Sequence, residues 1–479
     1  MKNKKCAPRV AMISLGCPKN LVDSEKMMAQ LAQGGCVVGA PMAEADVVVV
    51  NTCGFLAAAR EESLEVIREA LACKQANPMA RVVVAGCLVN RDGEALFESA
   101  KGIDAIVGVN DRERLLRAVL GSRRVSFVTA YERGTGVPPV QNQPVGKRFS
   151  HRHDHHGRDA RATSDAGRFR LTARHTAYLR ISEGCSQRCT FCTIPSIRGP
   201  FRSKSPLDVL AEARELLADG AVELNVIGQD TTSYGMDFDE GAVDGGAGPN
   251  DLAALMSSLA DLDGARWIRL LYAYPMRFSP RLIDVMAERE NIVKYVDIPL
   301  QHMSDGVLRR MGRRVTRAKT EALLRRLREV PGMAIRTTFI VGFPGESETE
   351  FSELLSFVQE FKFDALGVFE FSPEPGTPAV RLKGPVDAAV KADRAKRIML
   401  AQQKIAFAAN RRRKGKQLDV LVDGVDSAGR CIGRHPGQAP DIDGVCVLSK
   451  PAKAGTIVRA KVIGAEGYDL RVTEATSDK

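Results

Sequence analysis

The sequence predicts an α/β protein with three folded parts. These are an N-terminal parallel α/β domain (8–130), an open (βα)6 relative of the eight-stranded TIM barrel (173–410) and a small β-barrel (411–479). Short β-branched runs alternate with amphipathic helical patterns through most of the chain, which indicates parallel strands joined by crossover helices. A segment without periodicity interrupts this alternation at 131–172. Beyond residue 411 short alternating strands replace the helical patterns.

The composition is that of a folded protein without a membrane segment. The chain has 479 residues, of which 44% are hydrophobic, and no apolar run approaches the ~20 residues of a membrane helix. The N-terminus is basic, but its apolar part predicts a short strand and not an export signal. We therefore expect a cytoplasmic protein. In a reducing compartment, the eleven cysteines suggest metal or redox chemistry before disulfides.

The N-terminal domain is predicted as a βαβαβ unit. Its strands are "RVAMISLG", "ADVVVVN" and "RVVVAG", each ending at a glycine or a turn residue. The helical patterns "SEKMMAQLAQ" and "EESLEVIREALA" separate them. Strands linked through helices in this way form a parallel sheet.

Residues 131–172 are predicted to be a basic, low-complexity linker. Positions 133–175 carry nine Arg or Lys and three Asp, a net charge of +6 within the chain's +11. Because most of the basicity lies in one irregular segment, net charge alone does not indicate nucleic-acid binding. The histidines of this segment can hold a metal, or they can be part of a solvated linker; they are His151, His153, His155 and His156.

The second part is predicted to contain six strands, and the loops that follow the strands carry the site in barrels of this kind. The predicted strands are "TAYLRISEG", "VELNVIGQ", "WIRLLYAYP", "KYVDIPLQ", "AIRTTFIVGFP" and "ALGVFEFSP". A long helix at about 386–410 leads to the terminal strands. The basic run Arg411–Lys414 at its end can bind phosphate or can be a solvated helix terminus.

Three cysteines follow the first strand of the partial barrel, in the pattern Cys185-x3-Cys189-x2-Cys192. Three thiolates suit an iron–sulfur cluster, whereas a structural zinc site needs four ligands. The nearest further zinc ligands, His175 and His302, lack zinc-finger spacing. Zinc ligands and structural thiols remain the alternatives. A cluster held by three cysteines has one iron with an open coordination position.

Another set of cysteines, Cys17, Cys53 and Cys87, is spaced by 36 and 34 residues, one βα repeat each. Each cysteine follows a predicted strand, and the carboxyl ends of parallel strands share one edge of the sheet. The three side chains can therefore converge and bind a second cluster. The alternative is three small buried residues. The other cysteines are not equivalently placed; they include Cys6, Cys36, Cys73, Cys431 and Cys446.

The pattern Cys-x3-Cys-x-Phe-Cys, with Phe191 before the third cysteine, resembles the radical S-adenosylmethionine (SAM) enzymes. Nearly the whole chain apart from 133–175 is similar to the methylthiotransferases of that superfamily. The similarity lies in "LGCPKNLVDSE", "NTCGF", "AGCL", "CSQRCTFCTIPSIRG", "GQDTT", "DIPLQH", "FIVGFPGE" and "FSPEPGTPA". It implies that the partial barrel is a radical SAM domain and that the terminal barrel is a TRAM domain.

The resemblance implies two 4Fe–4S clusters and SAM as cofactors. Cys185, Cys189 and Cys192 would hold the cluster that chelates SAM and cleaves it to a 5′-deoxyadenosyl radical. The other three cysteines would hold a cluster that carries a sulfur atom. A first SAM would methylate this sulfur, and a carbon radical would then capture the methylthio group. No catalytic residue beyond the cluster ligands is assigned. SAM contacts, or ordinary turn positions, are expected at Gly228, Gln229, Asp230, Gly342 and Gly345.

The enzymes of this family fall into two classes by substrate. Members of one class modify the β-carbon of an aspartate in small-subunit ribosomal protein twelve. Members of the other class modify an adenosine beside the tRNA anticodon. "GCPKNLVDSE", "NTCGF", "DIPLQH" and "GYDL" favour the ribosomal protein. "GCSQRC" departs from the commoner "GCNHRC", which affects the expected surroundings of the cluster but not its ligands.

The implied partners are that ribosomal protein, the ribosomal subunit with its RNA, and a reductant such as flavodoxin or ferredoxin. An explanation of a different class is an RNA-binding or scaffold protein with structural clusters. The sequence pI near 9.1 and the terminal barrel support that alternative.

Overall fold

The computed structural model describes residues 7–121, 124–128, 167–238 and 251–475. These form two compact units. The first comprises the described residues up to Leu171 together with Ile194–Pro200, and the second comprises Thr172–Thr193 and the residues from Phe201 onward. The four clustered histidines, and most of the predicted linker, lie outside the described residues.

The first unit contains a six-stranded parallel sheet in the order β2-β1-β3-β4-β5-β6. Its strands are β1 (Arg9–Ser14), β2 (Val37–Val38), β3 (Val47–Thr52), β4 (Arg81–Gly86), β5 (Ala105–Gly108) and β6 (Val125–Phe127). Its helices are α1 (Pro18–Gln33), α2 (Ala57–Ala76), α3 (Cys87–Asp92), α4 (Leu96–Ser99), α5 (Leu115–Leu120) and α6 (Ile194–Arg198). The three predicted strands are β1, β3 and β4. The other three, of two to four residues, have no counterpart in the predicted pattern.

The continuous valine run of β3 is explained by burial on both faces of this sheet. Val47 and Val49 belong to one apolar cluster, and Val48 and Val50 belong to the cluster on the opposite face. A strand whose two faces are both buried does not need alternating polar and apolar residues.

The second unit contains a six-stranded parallel sheet in the order β14-β13-β12-β11-β10-β7. Its strands are β7 (Thr176–Arg180), β10 (Glu223–Ile227), β11 (Trp267–Leu270), β12 (Ile292–Asp297), β13 (Ala334–Val341) and β14 (Ala365–Glu370). A short antiparallel pair accompanies the sheet, formed by β8 (Ser182–Glu183) and β9 (Arg202–Ser203). Its helices are α7 (Pro206–Ala218), α8 (Leu252–Ala260), α9 (Pro280–Glu288), α10 (Asp305–Arg310), α11 (Arg317–Glu329), α12 (Glu348–Phe361) and α13 (Ala388–Arg412). The first and last strands occupy opposite ends of this order, so the predicted open (βα)6 sheet is confirmed.

The helix starts follow from local sequence. Ser205 and Ser279 each accept a hydrogen bond from a backbone N–H of the first turn, and a proline occupies the next position. Ser347 and Glu350 form a reciprocal capping box at α12. These contacts satisfy N–H groups that have no partner within the helix.

The terminal strands close into a barrel in the order β15-β16-β17-β19-β18. They are β15 (Gln417–Val425), β16 (Cys431–Arg434), β17 (Cys446–Leu448), β18 (Ile457–Glu466) and β19 (Asp469–Glu474). Four of them match the predicted strands, and β16 has no counterpart in the predicted pattern. The predicted small β-barrel is therefore confirmed.

The segment 434–443, here called the barrel loop, docks the terminal barrel onto polar side chains of the six-stranded sheet. Arg434 lies 2.8 Å from Glu223, and Arg269 donates to the carbonyl of Pro436 at 2.7 Å. Tyr295 donates to Asp443 at 2.7 Å. Glu223 and Tyr295 thus contact the barrel loop, while apolar residues of the same two strands lie in the core.

No helix among the described residues is both long enough and apolar enough to cross a membrane.

Candidate functional site

The first cysteine set along the chain, Cys17, Cys53 and Cys87, lies at the carboxyl ends of three adjacent strands, as predicted. Cys17 is the residue that precedes α1, Cys53 directly follows β3, and Cys87 directly follows β4 and opens α3. The strands β1, β3 and β4 are neighbours in the sheet. Each cysteine therefore occupies the equivalent loop of its own βα repeat.

Glycines beside the cysteines let these loops approach one another. A methyl group at Gly16 would lie 2.8 Å from Cβ and 3.1 Å from Sγ of Cys53. A methyl group at Gly54 would lie 2.8 Å from the backbone of Leu88 and 2.9 Å from the carbonyl carbon of Cys87. The residue next to Cys17 thus contacts Cys53, and the residue next to Cys53 contacts Cys87.

A pair of buried asparagines fixes the position of these loops. The Asn20 side chain donates to the carbonyl of Leu15 at 2.6 Å and to that of Asn51 at 3.3 Å. The Asn51 side chain donates in return to the carbonyl of Asn20 at 2.9 Å. These bonds tie the first turn of α1 to the end of β3, and so tie the loop of Cys17 to the loop of Cys53.

The three thiols interact electrostatically. Burial, together with the negative charges of ionised Cys17 and Cys53, raises the pKa of Cys87 to about 12, against the lowering effect of Arg198. Burial also raises the pKa of Cys53, with Cys17 adding to the shift. At Cys17 burial acts in the same direction, but the charges of Lys19 and Arg198 outweigh it and lower the pKa. Three thiolates are stable here only beside positive charge, which a metal cluster supplies.

Arg198 is a buried cation of this site, with 1% of its surface exposed. Its guanidinium lies 3.0 Å from Asp23 of α1, and Arg112 pairs with the same carboxylate. Its neighbour Ile197 packs in one apolar cluster with Cys87 and Val109. The short helix α6 therefore brings a positive charge to the cysteines of this unit.

We expect Gly16→Ala to impair loading of a cluster at Cys17, Cys53 and Cys87. Gly16 has φ +86°, so an alanine costs roughly 1–2 kcal/mol in any surroundings, and its methyl group also displaces Cys53. Gly35→Ala is the matched control, because Gly35 has φ +84° and no atom within 4 Å of the added methyl. Iron content and thermal unfolding of both variants are the measurements. If Gly16→Ala and Gly35→Ala held the same amount of iron and lost the same stability, the prediction would be wrong.

The second cysteine set lies in the loop that follows β8, near the carboxyl edge of its own sheet. Cys185 is buried, and Cys189 and Cys192 are half-buried. The Cys192 N–H donates to the carbonyl of Cys189 at 3.2 Å. Thr190 between them is anchored by its N–H to the carbonyl of Met311 at 2.9 Å and by its hydroxyl to that of Arg310 at 2.8 Å. The loop is therefore held in place by the end of α10.

Two thiols of this set, those of Cys185 and Cys189, interact electrostatically. Burial, together with the charges of Asp230 and Cys189, raises the pKa of Cys185 to about 12, and the charge of Arg313 opposes this shift. Arg313 Nη1 lies 4.0 Å from Sγ of Cys189. A positively charged group beside Cys185 therefore favours its thiolate form.

The predicted SAM contacts at 228–230 follow β10 and lie beside the cysteine loop. Asp230 accepts from Gln187 at 2.8 Å and from Ser233 at 2.6 Å. Gln229 donates to Glu183 at 2.9 Å, while its buried Oε1 has no partner among the described residues. A methyl group at Gly228 would lie 2.5 Å from Oγ of Ser182, so any larger residue there would displace the Ser182 hydroxyl.

The other two predicted contacts, Gly342 and Gly345, have packing tasks after β13. Gly342 has φ +70°, and a methyl group there would lie 2.0 Å from Cγ of Lys391. The Gly345 N–H donates to the carbonyl of Gly384 at 2.6 Å. The turn alternative for these two glycines has direct geometric support, and their contact with SAM stays a prediction.

The sequence interpretation missed two residues of these sites. Arg198 and Arg313 are buried cations beside the cysteines, and the signal for Arg198 was its place within "CTIPSIRG".

Among the described residues, no three His, Cys, Asp or Glu side chains are placed to hold a single metal ion. A single zinc ion needs all its sulfur ligands at about 2.3 Å from one point. In an iron–sulfur cluster each thiolate binds a different iron, so this observation does not address cluster ligation.

Comparison with protein families matches all three parts. Residues 9–108 match uncharacterized protein family UPF0004, residues 179–358 match the radical SAM superfamily, and residues 415–473 match the TRAM domain.

Proteins described as ribosomal protein uS12 methylthiotransferase RimO match nearly the full length. The one from Geotalea uraniireducens is 41% identical over 96% of this chain and 97% of its own. The one from Moorella thermoacetica is 42% identical over 95% of this chain and 96% of its own. The chain belongs to the RimO family.

Membership of the RimO family confirms a SAM-dependent radical methylthiotransferase with SAM and 4Fe–4S cofactors. The solved structure of the radical SAM methyltransferase TsrM from Kitasatospora setae, with cobalamin and a 4Fe–4S cluster, has the same fold. It gives a TM-score of 0.53 at 17% identity over 78% of this chain and 74% of its own. The RimO family assignment leaves the cluster ligands of this chain as predictions.

Proposed function

We propose that this RimO-family chain methylthiolates the β-carbon of an aspartate in ribosomal protein uS12. The observation that carries the proposal is the near-complete coverage by curated uS12 methylthiotransferases. The relative from Geobacter sulfurreducens, for example, is 40% identical over 98% of this chain and 99% of its own length. All three folded parts are thus shared with proteins described by this activity.

The proposal assigns each cysteine set to one cluster. Cys17, Cys53 and Cys87 hold the sulfur-carrying cluster, and Cys185, Cys189 and Cys192 hold the cluster that chelates SAM. When bound, these groups supply a transferable sulfur and the radical that removes hydrogen from an unactivated carbon. The chain's own part is to hold each set of thiolates and to leave one coordination position of each cluster open.

The structure supports this assignment through the donor sets. Each set contains a buried thiol whose pKa is raised by burial, Cys87 in one set and Cys185 in the other. Each set also has a buried arginine that opposes this effect. Cysteines that only fill space in a core do not need to lie close to one another, and their neutral thiols do not need a positive charge nearby.

Within this proposal, residues 228–230 line the SAM site. The unpartnered, buried Oε1 of Gln229 is an acceptor available to the cofactor, since buried polar atoms in folded proteins normally have a partner. Gly228 and Asp230 shape the loop that presents Gln229. Gly342 and Gly345 contribute the turn after β13.

The proposal places the enzyme in the cytoplasm, with the ribosomal subunit and a flavodoxin or ferredoxin as further partners. The terminal barrel would contact the substrate or its RNA. The basic run Arg411–Lys414 ends the helix that leads to the barrel, which suits a phosphate backbone.

The deciding experiment is mass spectrometry of uS12 and of tRNA from a strain that lacks this gene, with and without complementation. We expect the aspartate to lose an increment of about 46 Da, the mass of S and CH2, and to regain it on complementation. Loss of a methylthio mark on tRNA adenosine with unchanged uS12 would support the tRNA alternative and overturn the proposal.

Anaerobic reduction of the purified, reconstituted chain with SAM tests the radical chemistry separately. We expect 5′-deoxyadenosine and about eight irons per chain for two 4Fe–4S clusters. No deoxyadenosine from fully loaded protein would favour an RNA-binding protein with structural clusters.

A further inference from the structure

Arg313 carries a buried guanidinium whose positive charge has no carboxylate partner among the described residues. Only 8% of its surface is exposed. Among the residues that the structure describes, no carboxylate forms an ion pair with it, and its Nε has no hydrogen-bond partner. Burying an unpaired charge is strongly unfavourable. A residue of this kind therefore indicates an anionic group that completes the site.

The surroundings of Arg313 fix its orientation. Nη2 donates to the carbonyl of Pro299 at 2.5 Å, and the guanidinium carbon lies 4.2 Å from the centre of the Tyr274 ring. Nη1 lies 4.0 Å from Sγ of Cys189. The guanidinium group therefore stacks on the Tyr274 ring, is held by the hydrogen bond from Nη2, and has Nη1 directed towards the Cys189 thiol.

Neighbouring carboxylates do not serve as its counter-charge. Asp230 acts on the thiol of Cys185, but its oxygens accept hydrogen bonds from Gln187, Thr232 and Ser233. No pairing between Asp230 and Arg313 occurs. The positive charge is thus left for whatever Cys189 binds.

We propose that Arg313 is a positioning residue that compensates the negative charge of the cluster held by Cys185, Cys189 and Cys192 and raises its reduction potential. The inference rests on the proposed ligand assignment. One-electron reduction adds negative charge to the cluster, and a fixed cation a few ångströms away stabilises that added charge. Arg313 thereby makes this cluster easier to reduce, and reduction precedes SAM cleavage.

The test is a dithionite titration of the reconstituted holoenzyme, followed by electron paramagnetic resonance of the signal that changes on adding SAM. For Arg313→Met we expect the ratio of reduced to oxidised cluster at a fixed potential to fall about ten-fold. This corresponds to a shift of about 59 mV to lower potential. Arg313→Lys keeps the charge and should retain most of the potential. Arg314→Met is the matched control, since Arg314 is its exposed neighbour, and should change nothing.

The outcomes separate this inference from the proposed function. An unchanged potential in fully loaded Arg313→Met would overturn the inference alone. Loss of the cluster in Arg313→Met but not in Arg313→Lys would support charge compensation, whereas equal loss in both would indicate packing and overturn it. A wild-type protein without any SAM-responsive signal would instead contradict the proposed function.

Discussion

Replacing Cys17, Cys53 and Cys87 by alanine will lower the iron content from about eight to about four atoms per chain. Cleavage of SAM to deoxyadenosine will continue, while methylthiolation of uS12 will stop. The physical reason is that the two cysteine sets lie on loops of two different sheets, so removing one set leaves the other intact. Iron analysis, deoxyadenosine assay and mass spectrometry of uS12 measure the three results.

The reciprocal variant, with Cys185, Cys189 and Cys192 replaced by alanine, should keep about four irons but form no deoxyadenosine. Cys73→Ala is a suitable control, because Cys73 is a half-buried residue of α2 outside both sets, and it should change none of the three measurements. If the first variant still held about eight irons, the assignment of the sulfur-carrying cluster would be wrong. If it lost SAM cleavage as well, the two sets would not be independent.

The fold and the placement of the cysteines were largely predictable from the sequence. Parallel strands in βα repeats have a strong signal, because β-branched runs alternate with amphipathic helices. All six predicted strands of the second sheet are present as β7 and β10 to β14. Topology then puts every strand's carboxyl end on one edge, which is why regularly spaced cysteines such as Cys17 and Cys53 could be predicted to converge.

The contacts that build the site could not be predicted. Gly16 and Gly54 are required because another chain segment passes within about 3 Å, and that segment is 33 or more residues away in sequence. The stacking of Arg313 on Tyr274 joins residues 39 positions apart, with no periodic pattern to indicate it. The short strands β5 and β16, of four residues each, show no alternation of apolar and polar residues that would indicate them.

The sequence pattern likewise does not predict how the terminal barrel docks. This docking depends on a buried cluster of charged residues in the second unit. Glu223 is fully buried at the start of β10. It lies 3.0 Å from Arg269 and 2.8 Å from Arg434 of the barrel loop, and Arg434 also pairs with Asp423 at 2.8 Å. Two guanidinium groups thus depend on one carboxylate that the sheet supplies.

We expect Glu223→Gln to destabilise the second unit by about 3–5 kcal/mol, because it leaves Arg269 and Arg434 buried without their common anion. Thermal unfolding and limited proteolysis of the barrel loop will measure the loss. The matched control is Asp419→Asn, which breaks an exposed pair with Arg459 at 2.9 Å and should cost at most about 1 kcal/mol. Equal losses in the two variants would show that the buried cluster does not hold the barrel.

The same carboxylate makes the docking sensitive to acid. Burial alone would raise the pKa of Glu223, but the charges of Arg434 and Arg269 outweigh it and lower the pKa to about 2. A group whose pKa is depressed in the folded state contributes stability above its unfolded pKa, and that contribution is lost as the pH falls. The wild type should therefore lose stability between about pH 4.5 and pH 2. Glu223→Gln should lose less over the same interval, because the residue that takes up the proton is absent, and an identical pH dependence in both proteins would assign the acid sensitivity to other carboxylates.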